Sequence, residues 1–196
     1  MSGTTTMPSD ELQQLLGRFA DEIIDTLGTG IALVGIVTGG ASLANRLAGL
    51  IEQRSGVRPL LGFVDITLYR DDLYTGLEKP VLGETNIDFD VTGRGIILVD
   101  DVLFTGRTVN AALTQLMDYG RPRWVKLLVV VDRGHREFPI AADFVGQTVT
   151  TSKRDRVVVH LTEDGSEADG VEVIVRDRIV RDRIVRDRIV RDRGEQ

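Results

Sequence analysis

The chain has 196 residues, no cysteine and a formal net charge of −6 at neutral pH. This length is typical of one domain, and the lack of cysteine excludes disulfides and thiolate metal sites. No run of about 18 apolar residues occurs and no apolar signal core opens the chain, so neither a membrane span nor export is expected. We expect a cytoplasmic protein whose charge disfavours indiscriminate nucleic-acid binding but allows a local basic patch.

The first half of the chain predicts helices and strands in alternation, followed by an irregular stretch. Apolar spacing predicts a helix over 12–27 with Ser9 as a candidate N-cap, a strand over 31–37, a helix over 42–54 and a strand over 60–68. Residues 70–86 contain Gly and Pro and show little periodicity, so they predict a mobile loop.

The second half predicts strands over 95–99 and 125–131, a helix over 109–119 between them, and a closing pair of strands over 157–161 and 171–175. Strands that alternate with helices indicate an α/β fold with a doubly wound, mainly parallel sheet. Ligands of such sheets bind beyond the carboxyl ends of the strands.

The segment 96–108 carries the strongest chemical signal. Four apolar residues precede Asp100 and Asp101, and a short loop leads through Thr105 and Gly106 into a helix. A helix start with free N–H groups suits a phosphate, and neighbouring carboxylates can accept hydrogen bonds from sugar hydroxyls. The pattern predicts a sugar-phosphate site, although two acids at a strand end could also be an ordinary turn.

This segment resembles the phosphoribosyl-diphosphate motif of type I phosphoribosyltransferases. Segments 65–73, 120–122, 131–137 and 151–153 are similar to one bacterial subfamily, the bifunctional pyrimidine operon attenuator and uracil phosphoribosyltransferase. The resemblance implies the type I phosphoribosyltransferase fold, with a flexible loop and a small hood. We expect that domain over residues 9–175 and a separate repetitive, charged tail over 176–196.

The resemblance also implies the substrates and the roles of several residues. Uracil and phosphoribosyl diphosphate would give UMP and pyrophosphate, with Mg²⁺ carried by the substrate and no direct metal ligand from the protein. Asp100 and Asp101 would hold the ribose hydroxyls, and Arg70 would meet charge on the leaving group or remain a solvated charge. Thr105, Gly106, Arg107 and Thr108 would wrap the 5′-phosphate, and Val102, Leu103 and Phe104 belong to the same segment expected to bind phosphoribosyl diphosphate.

Thr38, Gly39 and Gly40 match the expected pyrophosphate loop, unless they form an ordinary strand-to-helix turn. The subfamily has Thr-Arg-Gly here, so Gly39 removes a cation, which predicts weaker pyrophosphate affinity. Arg133 follows a predicted strand and would position the base or the diphosphate; a structural salt bridge is the alternative.

In the subfamily a basic face binds the leader RNA of pyrimidine genes, and UMP strengthens that binding. The residues that match this face are Arg18, His135, Arg136 and Lys153. Asp21, Ala141, Gln14 and Gln147 stand where basic residues are expected, and each loss removes a phosphate contact. A uracil salvage enzyme that has lost RNA binding is therefore the alternative to a bifunctional regulator. The family also implies a homo-oligomer, a dimer or larger.

The tail over 175–196 repeats Val-Arg-Asp-Arg-Ile nearly four times, with eight Arg, four Asp and one Glu. A period of five gives no apolar stripe on a helix, so a solvated, frayed helix is expected. The resembling family lacks this tail. It is interpreted as a neutral extension or as a tether for RNA or another partner.

Overall fold

The computed structural model describes residues 2–37, 39–66 and 85–175. Its helices are α1 (Ser9–Leu27), α2 (Gly39–Ser55) and α3 (Arg107–Asp118). Its strands are β1 (Ser2–Met7), β2 (Ala32–Val37), β3 (Leu60–Asp65), β4 (Gly95–Leu103), β5 (Trp124–Asp132), β6 (Phe144–Thr148), β7 (Arg156–His160) and β8 (Gly170–Val175). None of the helices within these ranges is both long and apolar enough to cross a membrane.

Five strands form one parallel sheet in the order β3-β2-β4-β5-β6. The central strands are apolar runs such as Ile96–Val99, because a parallel sheet covered on both faces buries every side chain. Alternate residues enter two cores: Ile97 and Val99 pack with α1 and α2, whereas Ile96 and Leu98 pack with α3. Helices on both faces confirm the predicted doubly wound α/β fold.

A second, antiparallel sheet, β1-β8-β7, forms the hood together with the 3-10 helix Thr162–Asp164. The predicted closing pair is confirmed, since Val157 of β7 pairs with Val173 of β8. The strand β1 was not predicted, and it pairs with β8 along its length. The folded part of the chain therefore starts before residue 9.

Arg46 of α2 attaches the hood to the main domain. Its guanidinium donates hydrogen bonds to both carboxylate oxygens of Asp169, at 2.5 and 2.9 Å, and to both oxygens of Glu163. Only 6% of the Asp169 side chain is exposed, so this pair is well shielded from water. The hydrogen bonds from Arg46 lower the pKa of Glu163 to about 2 and also lower the pKa of Asp169.

Some predicted boundaries were wrong, for local reasons. Ser9 is the first residue of α1 and Pro8 precedes it, so Ser9 is not the N-cap. The strand β4 continues through both acids to Leu103, and α2 starts at Gly39. The short strand β6 was not predicted. The proposed loop over 70–86 lies outside the described residues, except for Thr85 and for Asn86, which bridges to Phe63.

Replacing Arg46 by Met should destabilise the protein at pH 7 by about 2 kcal/mol, chiefly because the shielded carboxylate of Asp169 loses its charged donor, and the half-exposed Glu163 adds less. The pKa of Glu163 and that of Asp169 are lowered on folding, so their contribution is full above the unfolded pKa values, near pH 4 to 5. It is lost as the pH falls towards about 2. Urea unfolding between pH 7 and 3 should therefore show a smaller stability loss for R46M than for wild type.

The matched control is Arg58→Met, which removes an ion pair with Glu52 in which both side chains are nearly half exposed. Such a pair contributes about 0–1 kcal/mol. Equal pH slopes for R46M and wild type would contradict the role of Arg46.

Candidate functional site

Four acidic residues lie at the carboxyl edge of the main sheet. Asp65 ends β3 and is paired in register with Val37 of β2. Asp100 and Asp101 lie near the end of β4, and Asp132 ends β5. This edge is where parallel α/β sheets bind ligands. Asp65 was not among the predicted site residues; its place at the end of a buried strand was the available signal.

The two central acids differ in their surroundings. Asp100 is buried, and its Oδ1 accepts a hydrogen bond of 3.0 Å from the N–H of Asp101. The Oδ1 of Asp101 accepts one of 2.7 Å from the N–H of Val102. Burial raises the pKa of Asp101 despite these bonds, and the nearby carboxylate of Asp164 in the hood raises it further. A ligand that donates hydrogen bonds to this carboxylate, or that brings a cation close to it, would stabilise its charged form.

Gly39 and Gly40 place the N-terminus of α2 against these acids. A Cβ on Gly39 would lie 2.5 Å from Oδ2 of Asp101, and one on Gly40 would lie 2.1 Å from the carbonyl oxygen of Val99. At Gly40 the contact is with the backbone and leaves no room for a side chain, whereas at Gly39 the Asp101 side chain would have to move. Gly40 is therefore required by close packing, and the Asp101 carboxylate lies where a side chain at position 39 would begin.

The phosphate loop, residues 102–108, joins β4 to α3. Gly106 has a φ of 88° and is the N-cap of α3 without a side-chain cap, and the N–H of Arg107, the first helical residue, donates to Thr105 Oγ1 at 3.3 Å. The positive end of the α3 dipole lies at this loop, which suits an anionic ligand. The Arg107 side chain lies beside Glu137, with Nε 2.9 Å from Oε2, and over the ring of Phe138. The structure thus places a helix start directly after the two acids, as the sequence predicted.

Arg133 is buried behind this loop. Its guanidinium carbon lies 4.1 Å from the centroid of the Phe104 ring, and its nitrogens donate to Thr151 Oγ1 and to the carbonyl oxygen of Ser152. Burial lowers the pKa of Arg133, which Asp155 opposes. No carboxylate among the described residues lies within ion-pair distance, so the structural salt bridge is not seen. Positioning of base or diphosphate by Arg133 stays a prediction.

The residues predicted for the RNA face fall into two places. His135 and Arg136 lie behind the phosphate loop, where His135 Nε2 is 2.7 Å from the carbonyl oxygen of Thr151. Lys153 is exposed nearby, 3.7 Å from Glu137. Arg18 is on α1, in a groove of about 620 Å³ that Asp21 and Arg54 also line. Asp21 pairs with Arg54 there, so this groove carries less positive charge than the RNA-binding face that the resemblance implies.

Two predicted site residues, Thr38 and Arg70, lie outside the described residues.

The sequence did not predict the contribution of the hood to the site. Ser42 at the start of α2 donates a 2.6 Å hydrogen bond to Asp164. This contact joins residues 122 positions apart, and no local pattern signals it. Within residues 2–37, 39–66 and 85–175, no group of three or more His, Cys, Asp or Glu side chains could hold a metal ion.

The phosphoribosyl transferase domain family matches residues 8–164 of this chain. Proteins named bifunctional protein PyrR are similar over nearly the whole length. That of Deinococcus radiodurans is 46% identical over 87% of this chain and 92% of its own length. That of Thermus aquaticus is 52% identical over 85% and 93%. The chain belongs to the bifunctional PyrR family.

The fold of this PyrR family member is found in solved structures of purine phosphoribosyltransferases. The hypoxanthine phosphoribosyltransferase of Trypanosoma cruzi aligns with a TM-score of 0.66 and 15% identity, covering 89% of this chain and 97% of its own. A hypoxanthine-guanine phosphoribosyltransferase of Bacillus anthracis gives 0.64 and 18%, over 89% and 100%. These likenesses confirm the type I phosphoribosyltransferase fold.

Gly40→Ala should destabilise this protein by about 1–3 kcal/mol, because the new methyl group forces α2 away from the Val99 carbonyl oxygen. Urea unfolding measures this. The control is Gly49→Ala in the same helix, where a Cβ meets nothing within 4 Å. That change should stabilise the protein by up to about 1 kcal/mol. A neutral G40A would show that α2 does not need this close approach.

Proposed function

We propose that the chain transfers a 5-phosphoribosyl group from phosphoribosyl diphosphate to uracil, forming UMP and pyrophosphate. One observation carries the proposal: two adjacent carboxylates, a phosphate loop and a helix start are contiguous at the ligand edge of the sheet. Membership of the bifunctional PyrR family supports a phosphoribosyltransferase that is also a regulator. It favours this function over a salvage enzyme without RNA binding.

In this mechanism the protein positions and stabilises the reactants, and supplies no nucleophile. A uracil ring nitrogen attacks the anomeric carbon and gives up its proton to the departing pyrophosphate or to water, and pyrophosphate leaves with the bonding electron pair through an oxocarbenium-like state. Asp100 and Asp101 would accept hydrogen bonds from the ribose hydroxyls, while N–H groups of the phosphate loop would hold the 5′-phosphate. Fixing the sugar at both ends holds the anomeric carbon in line for displacement.

Mg²⁺ would arrive with the diphosphate. The chemistry fits, since Asp100 and Asp101 offer only hard oxygen donors, and no complete set of protein ligands is needed when a substrate phosphate completes the coordination. The cation would neutralise charge on the departing pyrophosphate. Arg70, which would meet charge on the leaving group, and the N–H groups of Thr38, Gly39 and Gly40, which would bind pyrophosphate, belong to the same proposal.

The double variant D100N/D101N should lose uracil turnover by at least about a hundredfold, because neutral amides accept weaker hydrogen bonds from the ribose hydroxyls and attract the substrate-bound Mg²⁺ less. UMP formation from uracil and phosphoribosyl diphosphate measures it, with hypoxanthine, guanine and orotate as competing bases. Asp118→Asn, at the far end of α3, is the matched control and should keep wild-type rates. Wild-type kinetics in the double variant would refute the sugar-binding role.

We also propose that the chain binds the leader RNA of pyrimidine genes when UMP is bound, and acts in the cytoplasm as a homo-oligomer. The exposed Lys153, 3.7 Å from Glu137 in the segment that also contains His135 and Arg136, is the observation that favours an RNA contact. Asp21 and Gln147 weaken the expected face: Asp21 neutralises Arg54, and Gln147 donates a 3.2 Å hydrogen bond to Thr6.

Lys153→Ala should weaken leader-RNA binding and reduce its logarithmic salt slope by about one, because one phosphate contact disappears. A gel shift with and without UMP over a salt series measures this. Arg123→Ala, an exposed cation at the opposite edge of the sheet, removes the same charge and should leave binding unchanged. RNA binding that is independent of both UMP and RNA sequence would contradict the regulatory function.

A further inference from the structure

Three consecutive carbonyl groups of the phosphate loop are bound from behind by one segment. This crossover segment, residues 133–143, joins β5 to β6 without forming a helix or strand. Arg133 N–H donates to the carbonyl oxygen of Leu103 at 3.1 Å. Glu137 and Phe138 N–H donate to that of Thr105 at 2.9 and 3.0 Å. The carbonyl oxygen of Phe104, between these two, has no backbone donor from the crossover segment.

The Arg136 side chain supplies the missing donor. Its Nη1 lies 2.8 Å from the carbonyl oxygen of Phe104 and 3.3 Å from that of Leu103. Its Nη2 lies 2.5 Å from Oδ2 of Asp132, and its Nε donates to the carbonyl oxygen of Ile140 at 2.9 Å. The planar fork of a guanidinium can bond in several directions at once, and these contacts fix its plane.

The orientation of these carbonyl groups determines where the amides point. In a trans peptide the C=O and the following N–H point in opposite directions. With the carbonyl oxygens of residues 103, 104 and 105 turned towards the crossover segment, the N–H groups of Phe104, Thr105 and Gly106 turn away from it. Successive N–H groups on one side of a loop form a concave anion site.

We propose that Arg136 is a positioning residue for phosphate binding: it holds the Phe104 carbonyl so that the amides of residues 104–106 converge on the substrate phosphate. This inference rests on the proposed function. It adds a role in the transferase site to a residue that the family resemblance places on the RNA face. The Phe104 ring supports the same arrangement, because it contacts both the Arg133 guanidinium and the His135 ring.

The test separates loop geometry from charge with two variants. Arg136→Ala removes both the fork and the charge, whereas Arg136→Lys keeps a charge that can still meet an RNA phosphate. Both should raise the KM for phosphoribosyl diphosphate, by about tenfold or more for Ala, while the KM for uracil changes less than about twofold. Arg123→Ala is the charge control and should match wild type.

A second measurement does not depend on turnover. In ¹⁵N-labelled full-length protein, inorganic phosphate or UMP should shift the amide signals of residues 104–106 in wild type, and shift them far less in R136A at matched thermal stability. If wild type makes no UMP from uracil, the proposed function fails while this titration still reports on the loop. The positioning role would be overturned if R136A had a KM for phosphoribosyl diphosphate within twofold of wild type. It would also be overturned if the ligand shifted the amide signals of residues 104–106 in R136A as much as in wild type.

Discussion

The close packing of α2 on the central strands is the constraint on which the rest of the molecule depends. A Cβ on Gly35 of β2 would lie 2.6 Å from the carbonyl oxygen of Gly40, and one on Gly40 would lie 2.1 Å from that of Val99. Hydrogen atoms at these positions let the helix start directly over the strand ends. The positive end of its dipole then faces Asp101, where an anionic ligand would also be stabilised.

The same helix carries the hood. Ser42 and Arg46 lie on the first two turns of α2, and their hydrogen bonds reach Asp164, Glu163 and Asp169. A shift of α2 would therefore move the hood relative to the phosphate loop. Because the proposed base and sugar phosphate bind between these parts, the helix sets the distance between the two halves of the site. The close contacts at the glycines and the ion pairs of Arg46 therefore both determine the position of α2 between the phosphate loop and the hood.

The sequence predicted the elements whose signal is local. The buried strands β2, β4 and β5 are continuous apolar runs, and α1 has a regular apolar face. The strands β1 and β6 were missed because their pairing is not local. β1 contains a run of three threonines and is held by β8 at the other end of the described chain, and β6 is a short edge strand in which only Phe144 is buried. Neither has a hydrophobic period that would distinguish it from a loop.

The site divides in the same way. The adjacent acids and the helix start after them are contiguous in sequence, so their chemistry could be predicted before any fold was known. The contacts of Arg133 and Arg136 with Phe104 span about thirty residues, and a sequence shows only that the arginines follow a strand. The steric reason for Gly39 was also hidden, since it depends on where the Asp101 carboxylate lies in space.

The contacts of Arg136 bear on how the two proposed activities could be linked. Its guanidinium already donates to Asp132, Ile140 and the phosphate loop, so an RNA phosphate that took these donors would loosen the loop. RNA contact through Arg136 alone would then oppose nucleotide binding. Linkage requires that UMP and RNA affect each other by the same factor. Cooperative binding is therefore better served by Lys153 and by residues of the crossover segment other than Arg136, which stays bonded to the phosphate loop.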